Sequence, residues 1–208
     1  MVVGGGRVAE RKVRGILAAA GRVRVVSPTL TSGLTALADQ QAIEWRGKTY
    51  SRPDLAGAFL VFAATNSADV QQAVHRDARE AGLLVNVADA PQWCDFQVPA
   101  TVRRGDLTLG VATNGRSPAV AAMVRQRLER AFGEEYGWLT ALAGLLREQI
   151  LVEEGDSEQT RLLFQQILHD DMVDWLRKRQ WDQVRQHLEH VLGRPVDFDP
   201  EILTKENP

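Results

Sequence analysis

The chain has 208 residues, enough to bury a substantial core, and its 44% hydrophobic and 25% charged content is typical of a soluble globular protein. The single cysteine, Cys94, excludes an internal disulfide and fits a reducing cytosol. The longest uncharged stretch, residues 55–68, is too short to span a bilayer, and no secretory signal pattern opens the chain. We therefore expect a cytoplasmic protein with no membrane partner.

A glycine-rich segment, G-G-G-R-V-A at residues 4–9, lies between an apolar stub and a helical pattern. This is the context that a dinucleotide-binding fingerprint requires. Gly4 would make the tight turn, Gly6 would let the backbone approach a pyrophosphate, and Ala9 would allow close helix–strand packing. The amides at the start of the helix would bind the phosphates. The segment therefore predicts NAD as a cofactor.

The first half of the chain alternates between helix and strand patterns. The sequence predicts helices over 8–20, 31–41 and 67–81, and strands over 23–26, 59–65 and 83–87. Strands separated by helices of this length form parallel sheets with right-handed crossovers. The predicted fold class is therefore α/β, with a Rossmann-like parallel sheet.

The pattern changes after residue 96. Two strand-like runs, 97–103 and 107–113, flank a turn at Gly105 and predict an antiparallel pair. Ser117 is placed as the N-cap of a helix over 118–132, with Val120, Val124 and Leu128 on one face. Helical patterns follow over 138–153, 158–180 and 181–192, and the last dozen residues are expected to form a loose tail. We predict three regions: a Rossmann-like domain (1–97), a mixed α/β region (98–134) and a helical domain (135–208).

A candidate catalytic carboxylate follows the strand predicted over 83–87. Asp89 lies in the segment N-V-A-D-A-P-Q-W-C-D-F at residues 86–96. The sequence predicts a loop here, at the carboxyl end of a strand, where α/β proteins usually have their active sites. The competing interpretation is that Asp89 only hydrogen-bonds locally, as aspartates in turns often do.

Charge is unevenly distributed along the chain. Six arginines stand against two acids between residues 103 and 130, whereas sixteen acids stand against eight Lys or Arg from residue 134 onward. Such arginines usually form a solvated face, but as a cluster they suit a ligand with several carboxylates or phosphates. Nucleic acid is disfavoured as a partner because the segment lacks interleaved aromatic residues.

The four histidines show no metal-binding pattern. His187 and His190 are spaced i, i+3 on a predicted helix, which favours a surface pair, and a structural zinc site would need more ligands. The prediction is that the protein has no resident metal.

Four motifs in register resemble precorrin-2 dehydrogenases, a family that also includes the N-terminal module of siroheme synthases and the yeast-type dehydrogenase/ferrochelatases. They are GGGRVAERK, AATN, NVADAPQWCDFQVPA and NGRSPAVAAMVRQRLE. The resemblance runs from residue 1 to about residue 153. It implies NAD-dependent oxidation of precorrin-2 to sirohydrochlorin on the route to sirohaem, and some family members also insert ferrous iron. It further implies a homodimer in which residues 98–134 form the dimerisation region.

The resemblance also implies roles for single residues. The family's catalytic aspartate falls on Asp89, as a general base, and its G-x-S-P serine falls on Ser117, beside the tetrapyrrole. With the basic segment, we expect Asn114 and Arg116 to bind the substrate too. Ser117 also has a structural interpretation as a helix cap, which is compatible with ligand binding. The NAD contacts fall on the following residues: Gly4, Gly6, Arg7, Val8, Ser27, Pro28, Thr29, Leu30, Thr65 and Asn66.

Two features depart from the usual pattern. Ser27 and Pro28 end the second strand, where a typical NAD fingerprint has an acidic residue. Only three residues precede the glycines, so the first strand is expected to pair poorly and the native start to lie upstream. The alternative is that the chain tolerates a short strand because its dimer buries the sheet elsewhere. The alternative function, from a different class, is an NAD-sensing regulatory module without catalysis.

Overall fold

The computed structural model describes residues 1–154 and 158–204. Residues 155–157 and 205–208, parts of the predicted helical domain and tail, lie outside the described residues. The chain divides into two compact units, Met1–Val98 and Pro99–Pro208.

The N-terminal unit is built on a five-stranded parallel sheet with strand order β3-β2-β1-β4-β5. Its strands are β1 (Val2–Val3), β2 (Arg24–Val26), β3 (Glu44–Arg46), β4 (Leu60–Ala63) and β5 (Leu84–Val87). Its helices are α1 (Arg7–Leu17), α2 (Ser32–Asp39) and α3 (Ala68–Glu80), with short 3₁₀ turns at Arg52–Leu55 and Pro91–Trp93. The predicted parallel α/β fold is confirmed.

Apolar side chains alternate between the two faces of this sheet. Val61 belongs to a core cluster with Val74 and Ala78 of α3, whereas Phe62 belongs to a second cluster with Ala9 and Val13 of α1. Because successive residues of a strand point to opposite faces, a continuous apolar run is buried on both sides.

The shortest strand occupies the centre of the sheet. Val2 pairs in parallel with Val25 on one side and with Phe62 on the other. The ladder continues beyond the strand, because the Gly4 amide donates to the Val26 carbonyl at 2.9 Å. The expected poor pairing of β1 is therefore wrong, since neighbours on both sides and flanking main-chain bonds hold the two valines.

Strand β3 was not expected from the sequence. It pairs in parallel with β2 at the edge of the sheet, and it carries the charged residues Glu44 and Arg46 around a partly exposed Trp45. Glu44 accepts hydrogen bonds from Arg24 at 2.9 Å and from Arg46 at 2.8 Å. An edge strand with this pattern lacks the apolar run that identifies a buried strand.

The C-terminal unit begins with the expected antiparallel hairpin and is otherwise helical. The hairpin consists of β6 (Ala100–Arg104) and β7 (Leu107–Val111). The helices are α4 (Pro118–Ala131), α5 (Glu135–Glu154), α6 (Glu158–Ile167), α7 (Asp170–Arg177), α8 (Trp181–Leu192) and α9 (Pro200–Thr204). One apolar cluster, which includes Leu142, Met172 and Leu188, joins α5, α7 and α8.

Two expectations for this unit are wrong. The predicted helix over 158–180 is broken, because α6 ends at Ile167 and His169 has extended backbone angles at the start of α7. The acids Asp170 and Asp171 in the first turn of α7 suit a new helix N-terminus. The expected loose tail contains α9, where Leu203 is buried in the apolar cluster and Asp199 accepts a hydrogen bond from the Glu201 amide at 2.8 Å.

No helix within residues 1–154 and 158–204 combines the length and the hydropathy needed to cross a membrane.

Candidate active site

The glycine turn after β1 lies against the loops that follow β2 and β4. Gly4 has φ of +117°, and a Cβ added there would lie 2.1 Å from the Ala64 carbonyl oxygen. A Cβ on Gly5 would lie 1.9 Å from the carbonyl oxygen of Thr29. Only glycine fits at either position. Because these two residues have no side chain, the three loops are in direct contact at the carboxyl edge of the sheet.

The start of α1 is open towards solvent. Gly6 is the N-cap of α1, and a Cβ built on it would meet no other described atom within 4 Å. Among the described residues, no side chain caps this helix, so the first-turn amides at the exposed Arg7 and Val8 are available to an anion. A glycine turn leading into an uncapped helix fits the pyrophosphate of NAD. The nicotinamide ring of bound NAD would accept a hydride.

The loop after β2 is fixed by hydrogen bonds that sequence reasoning missed. The buried Ser27 hydroxyl donates to the Thr29 carbonyl at 2.7 Å. The Thr31 amide donates to the Gly5 carbonyl at 2.9 Å, and the Thr31 hydroxyl donates to the carboxylate of Glu10 at 2.6 Å. This hydroxyl, followed by Arg14, holds the pKa of Glu10 below its ordinary value. Ser27 therefore shapes the loop, and the exposed Pro28 and Thr29, with the half-buried Leu30, form its outer surface.

The loops after β4 and β5 are joined by one side chain. The Gln71 amide on α3 donates to the Thr65 carbonyl oxygen at 2.7 Å and reaches that of Ala88 at 3.4 Å. Thr65 is half-buried and Asn66 is exposed. Gln71 therefore links the predicted NAD loop to the loop that carries Asp89. Nothing in the local sequence singled out this glutamine.

Asp89 has an unusual backbone conformation directly after β5. Its φ is +61°, in the left-handed region that L-residues avoid, and its side chain is exposed. The Ala88 amide bonds to the Ala63 carbonyl at 2.9 Å, and the following Ala90 is buried, so both neighbours hold the residue in place. A non-glycine residue in this conformation costs roughly 1–2 kcal/mol, and such outliers cluster at functional sites.

The other carboxylate of the segment has a structural role. Asp95 accepts a hydrogen bond from the Val85 amide at 3.0 Å and pairs with Arg79 at 2.5 Å. The Val85 amide is the main cause that lowers the pKa of Asp95. Cys94 is half-buried, and its Sγ lies 3.2 Å from both the amide and the carbonyl of Val87. Of the two exposed residues, Asp95 is therefore held by structural bonds, and Asp89 remains the candidate base.

The predicted substrate-binding residues lie in the C-terminal unit, in the loop between β7 and α4. Asn114 has φ of +50° and precedes Gly115, which has φ of +75°. The Thr113 hydroxyl closes this loop by donating to the Ser117 carbonyl at 3.1 Å and accepting from the Ser117 amide at 3.2 Å. The Ser117 hydroxyl accepts from the Val120 amide at 3.2 Å, so the predicted helix cap is confirmed.

Two arginines of this segment make structural contacts within the C-terminal unit. Arg104 donates to the Phe132 carbonyl at 2.8 Å and to that of Glu129 at 3.0 Å, at the end of α4. Arg125 is paired with the carboxylate of Glu129. The exposed guanidinium of Arg116 stands beside the cap of α4. The expected arginine cluster is therefore corrected for Arg104 and Arg125, whose guanidinium groups are engaged within the unit.

Comparisons with known proteins agree with this arrangement. Residues 1–100 match a family described as putative NAD(P)-binding, and residues 104–131 match the central region of a sirohaem biosynthesis protein. The chain is 34% identical over 173 residues to Siroheme synthase 1 of Aeromonas salmonicida, covering 83% of this chain and 37% of that protein. It is 33% identical over 201 residues to the siroheme synthase of Nitrosomonas eutropha, covering 96% of this chain and 42% of that protein. The chain thus spans about two fifths of these relatives.

A solved structure has the same fold along nearly the whole chain. The precorrin-2 dehydrogenase SirC superposes with a TM-score of 0.70 at 26% sequence identity, over 92% of each chain.

The fold and the glycine turn define a Rossmann-like NAD(P)-binding protein. The match continues through the sirohaem-specific central region, and the chain belongs to the family of precorrin-2 dehydrogenases and siroheme synthase N-terminal modules. The prediction of NAD as cofactor is confirmed.

Proposed function

We propose that this protein catalyses the NAD-dependent oxidation of precorrin-2 to sirohydrochlorin in cytoplasmic sirohaem biosynthesis. The observation that carries the proposal is the exposed carboxylate of Asp89, held at φ of +61° and joined through Gln71 to the glycine-turn side of the sheet. The names of the relatives support the same reaction, since they are siroheme synthases and a precorrin-2 dehydrogenase.

Asp89 would act as the general base. Loss of a hydride from the reduced macrocycle leaves a cation that must release a proton. A nearby carboxylate stabilises the positive charge and then accepts that proton. Gly4, Gly6 and the loop containing Ser27 would hold the cofactor, and Gln71 would hold the base.

The loop before α4 would bind substrate carboxylates. Arg116 offers an exposed guanidinium, and Asn114 offers an exposed amide beside it. Ser117 caps the N-terminus of α4, where the helix dipole favours an anion. A tetrapyrrole with several carboxylates suits such a loop.

Residues 98–134 would form a dimerisation region, which in the sequence follows domain 1–97 and precedes domain 135–208. Val120 and Met123 on α4 are each 46% exposed, which leaves an apolar surface that a second copy of the chain would cover. Light scattering tests this directly: a Met123→Glu variant should be monomeric at concentrations where the parent is a dimer.

The function is tested by mixing the purified protein with precorrin-2 and NAD. The proposal predicts growth of NADH absorbance together with the sirohydrochlorin spectrum. Folded protein that binds NAD but forms neither product would instead support an NAD-sensing module without catalysis.

Iron insertion is a second candidate activity. The carboxylate of Asp89 can accept the pyrrole protons that leave sirohydrochlorin as Fe²⁺ enters. Adding Fe²⁺ or Co²⁺ to the assay and following metallated product distinguishes a bifunctional enzyme from a dehydrogenase.

A further inference from the structure

Three possible metal ligands from different elements meet in the helical part of the C-terminal unit. The Nε2 atom of His169, between α6 and α7, lies 3.2 Å from Nε2 of His187 on α8. The same atom of His187 lies 3.1 Å from the Gln166 carbonyl oxygen, in the last turn of α6. The sequence spacing associated His187 with His190, but the fold associates it with His169.

We propose that His169, His187 and the Gln166 carbonyl bind a first-row divalent metal ion of the kind that prefers imidazole, with Zn²⁺ and Co²⁺ as representatives. Imidazole nitrogens bind Zn²⁺ at about 2.0–2.1 Å, so two nitrogens on one tetrahedral ion stand roughly 3.3 Å apart. The two distances on His187 therefore match the spacing of neighbouring ligands around one ion. This proposal is independent of the proposed sirohaem chemistry.

The surroundings of His169 suit a metal ligand. The carboxylate of Asp171 lies 3.9 Å from His169 Nδ1, on the side of the ring away from His187. With the proton on Nδ1, the ring nitrogen nearer this carboxylate, the lone pair of Nε2 is free to face a metal ion. The side chain of His169 is 31% exposed, which leaves a path for an ion and for water ligands.

Neighbouring groups hold the imidazoles in this arrangement. The ring of Trp175 lies 5.5 Å, centre to centre, from the rings of both His169 and His187. The Gln166 carbonyl belongs to the negative end of the α6 dipole, which attracts a cation. The three ligands thus come from three helices: His169 from the start of α7, Gln166 from the end of α6 and His187 from within α8.

A single hydrogen bond cannot satisfy all three of these atoms. One proton on His187 Nε2 can point to His169 Nε2 or to the Gln166 carbonyl, or be shared weakly between them. A metal ion binds all three atoms at once, with the imidazole proton moved to Nδ1. In the described part of the chain, no three His, Cys, Asp or Glu side chains form a metal cluster, so water would complete the coordination.

The test uses the full, untagged chain and Co²⁺, whose visible absorption reports imidazole ligands and coordination number. We expect one Co²⁺ per chain, displaced by Zn²⁺, and a higher melting temperature with Zn²⁺. H169Q and H187Q should each lose both effects, whereas H190Q, which alters an exposed histidine of the same helix, should keep them.

If H187Q fails to fold, imidazole nitrogen NMR of the parent decides the question. Zn²⁺ should shift the Nε2 resonances of His169 and His187 and leave those of His75 and His190 in place. Absence of Co²⁺ or Zn²⁺ binding to the parent, equal binding by H169Q, or shifts confined to other histidines would each overturn the proposal.

Discussion

The side-chain amide of Gln71 donates a hydrogen bond to the main-chain carbonyl of Thr65 at 2.7 Å. The same nitrogen reaches the Ala88 carbonyl at 3.4 Å, one residue before Asp89. A single amide on α3 therefore bridges the loop after β4 and the loop after β5, in addition to the main-chain bond from Ala88 to Ala63.

We predict that Gln71→Ala lowers kcat by roughly tenfold to a hundredfold, the range expected when a catalytic group moves by about 1 Å. The KM for precorrin-2 should change little, because Gln71 is proposed to hold the base and not the substrate. Steady-state kinetics across pH check this, since a displaced base changes the pH profile whereas a general loss of stability does not. Gln72→Ala is the matched control, because Gln72 is the exposed neighbour on the same helix and should behave as the parent.

The two outer glycines of the turn should respond differently to alanine. Gly4→Ala should destabilise the protein, because φ of +117° and the Ala64 carbonyl leave no room for a methyl group. Gly6→Ala should fold with a near-parental melting temperature but bind NAD more weakly, because the new methyl group points into open space where the pyrophosphate would approach. Calorimetry of unfolding and of NAD binding measures both effects. Unchanged NAD affinity in Gly6→Ala would remove this turn from the cofactor site.

Arg116→Ala should raise the KM for precorrin-2 and leave the Kd for NAD nearly unchanged, since the guanidinium is assigned to substrate carboxylates. The exposed Arg127, on the following helix α4, supplies the control Arg127→Ala. Parallel titrations with both ligands are the measurement. Equal losses of affinity for precorrin-2 and NAD would mean that Arg116 is structural.

The buried Asp54 should make the N-terminal unit sensitive to acid. Burial opposes its charge, but hydrogen bonds from Lys48 at 2.8 Å, the Ser51 amide at 2.9 Å and Arg46 at 3.1 Å hold its pKa well below the usual range. Because the folded-state pKa is depressed, the stabilisation is complete above the unfolded-state pKa of about 4 and is lost as the pH falls below it.

Asp54→Asn should therefore destabilise the protein by about 2 kcal/mol at pH 7, the value of a hydrogen bond to a charged group. The difference from the parent should shrink as the pH falls below about 4. Urea unfolding at several pH values measures it, and Asp39→Asn, at an exposed site on α2, is the control. A difference that does not change with pH would show that the charge of Asp54 is unimportant.

The sequence predicted the parallel sheet because apolar runs such as 59–65 are long enough to identify buried strands. It also predicted Ser117 as a cap, because serine before proline is a local signal. It missed β3, whose charged residues give no buried-strand pattern. It also missed the break at His169, where the backbone is extended and the imidazole contacts His187 of α8. Gln71 and the His169–His187 pair were missed because their partners, six to eighteen residues away, lie outside their own elements.

The central claim is that Asp89 is the catalytic base, and Asp89→Asn under single turnover with precorrin-2 and NAD tests it most directly. Asparagine is nearly isosteric and tolerates φ of +61°, so the variant should fold and bind NAD as the parent does. Its rate of NADH formation should fall roughly a hundredfold or more, as expected when a general base is lost. A near-parental rate from a folded, NAD-bound variant would contradict the account and remove Asp89 from the mechanism.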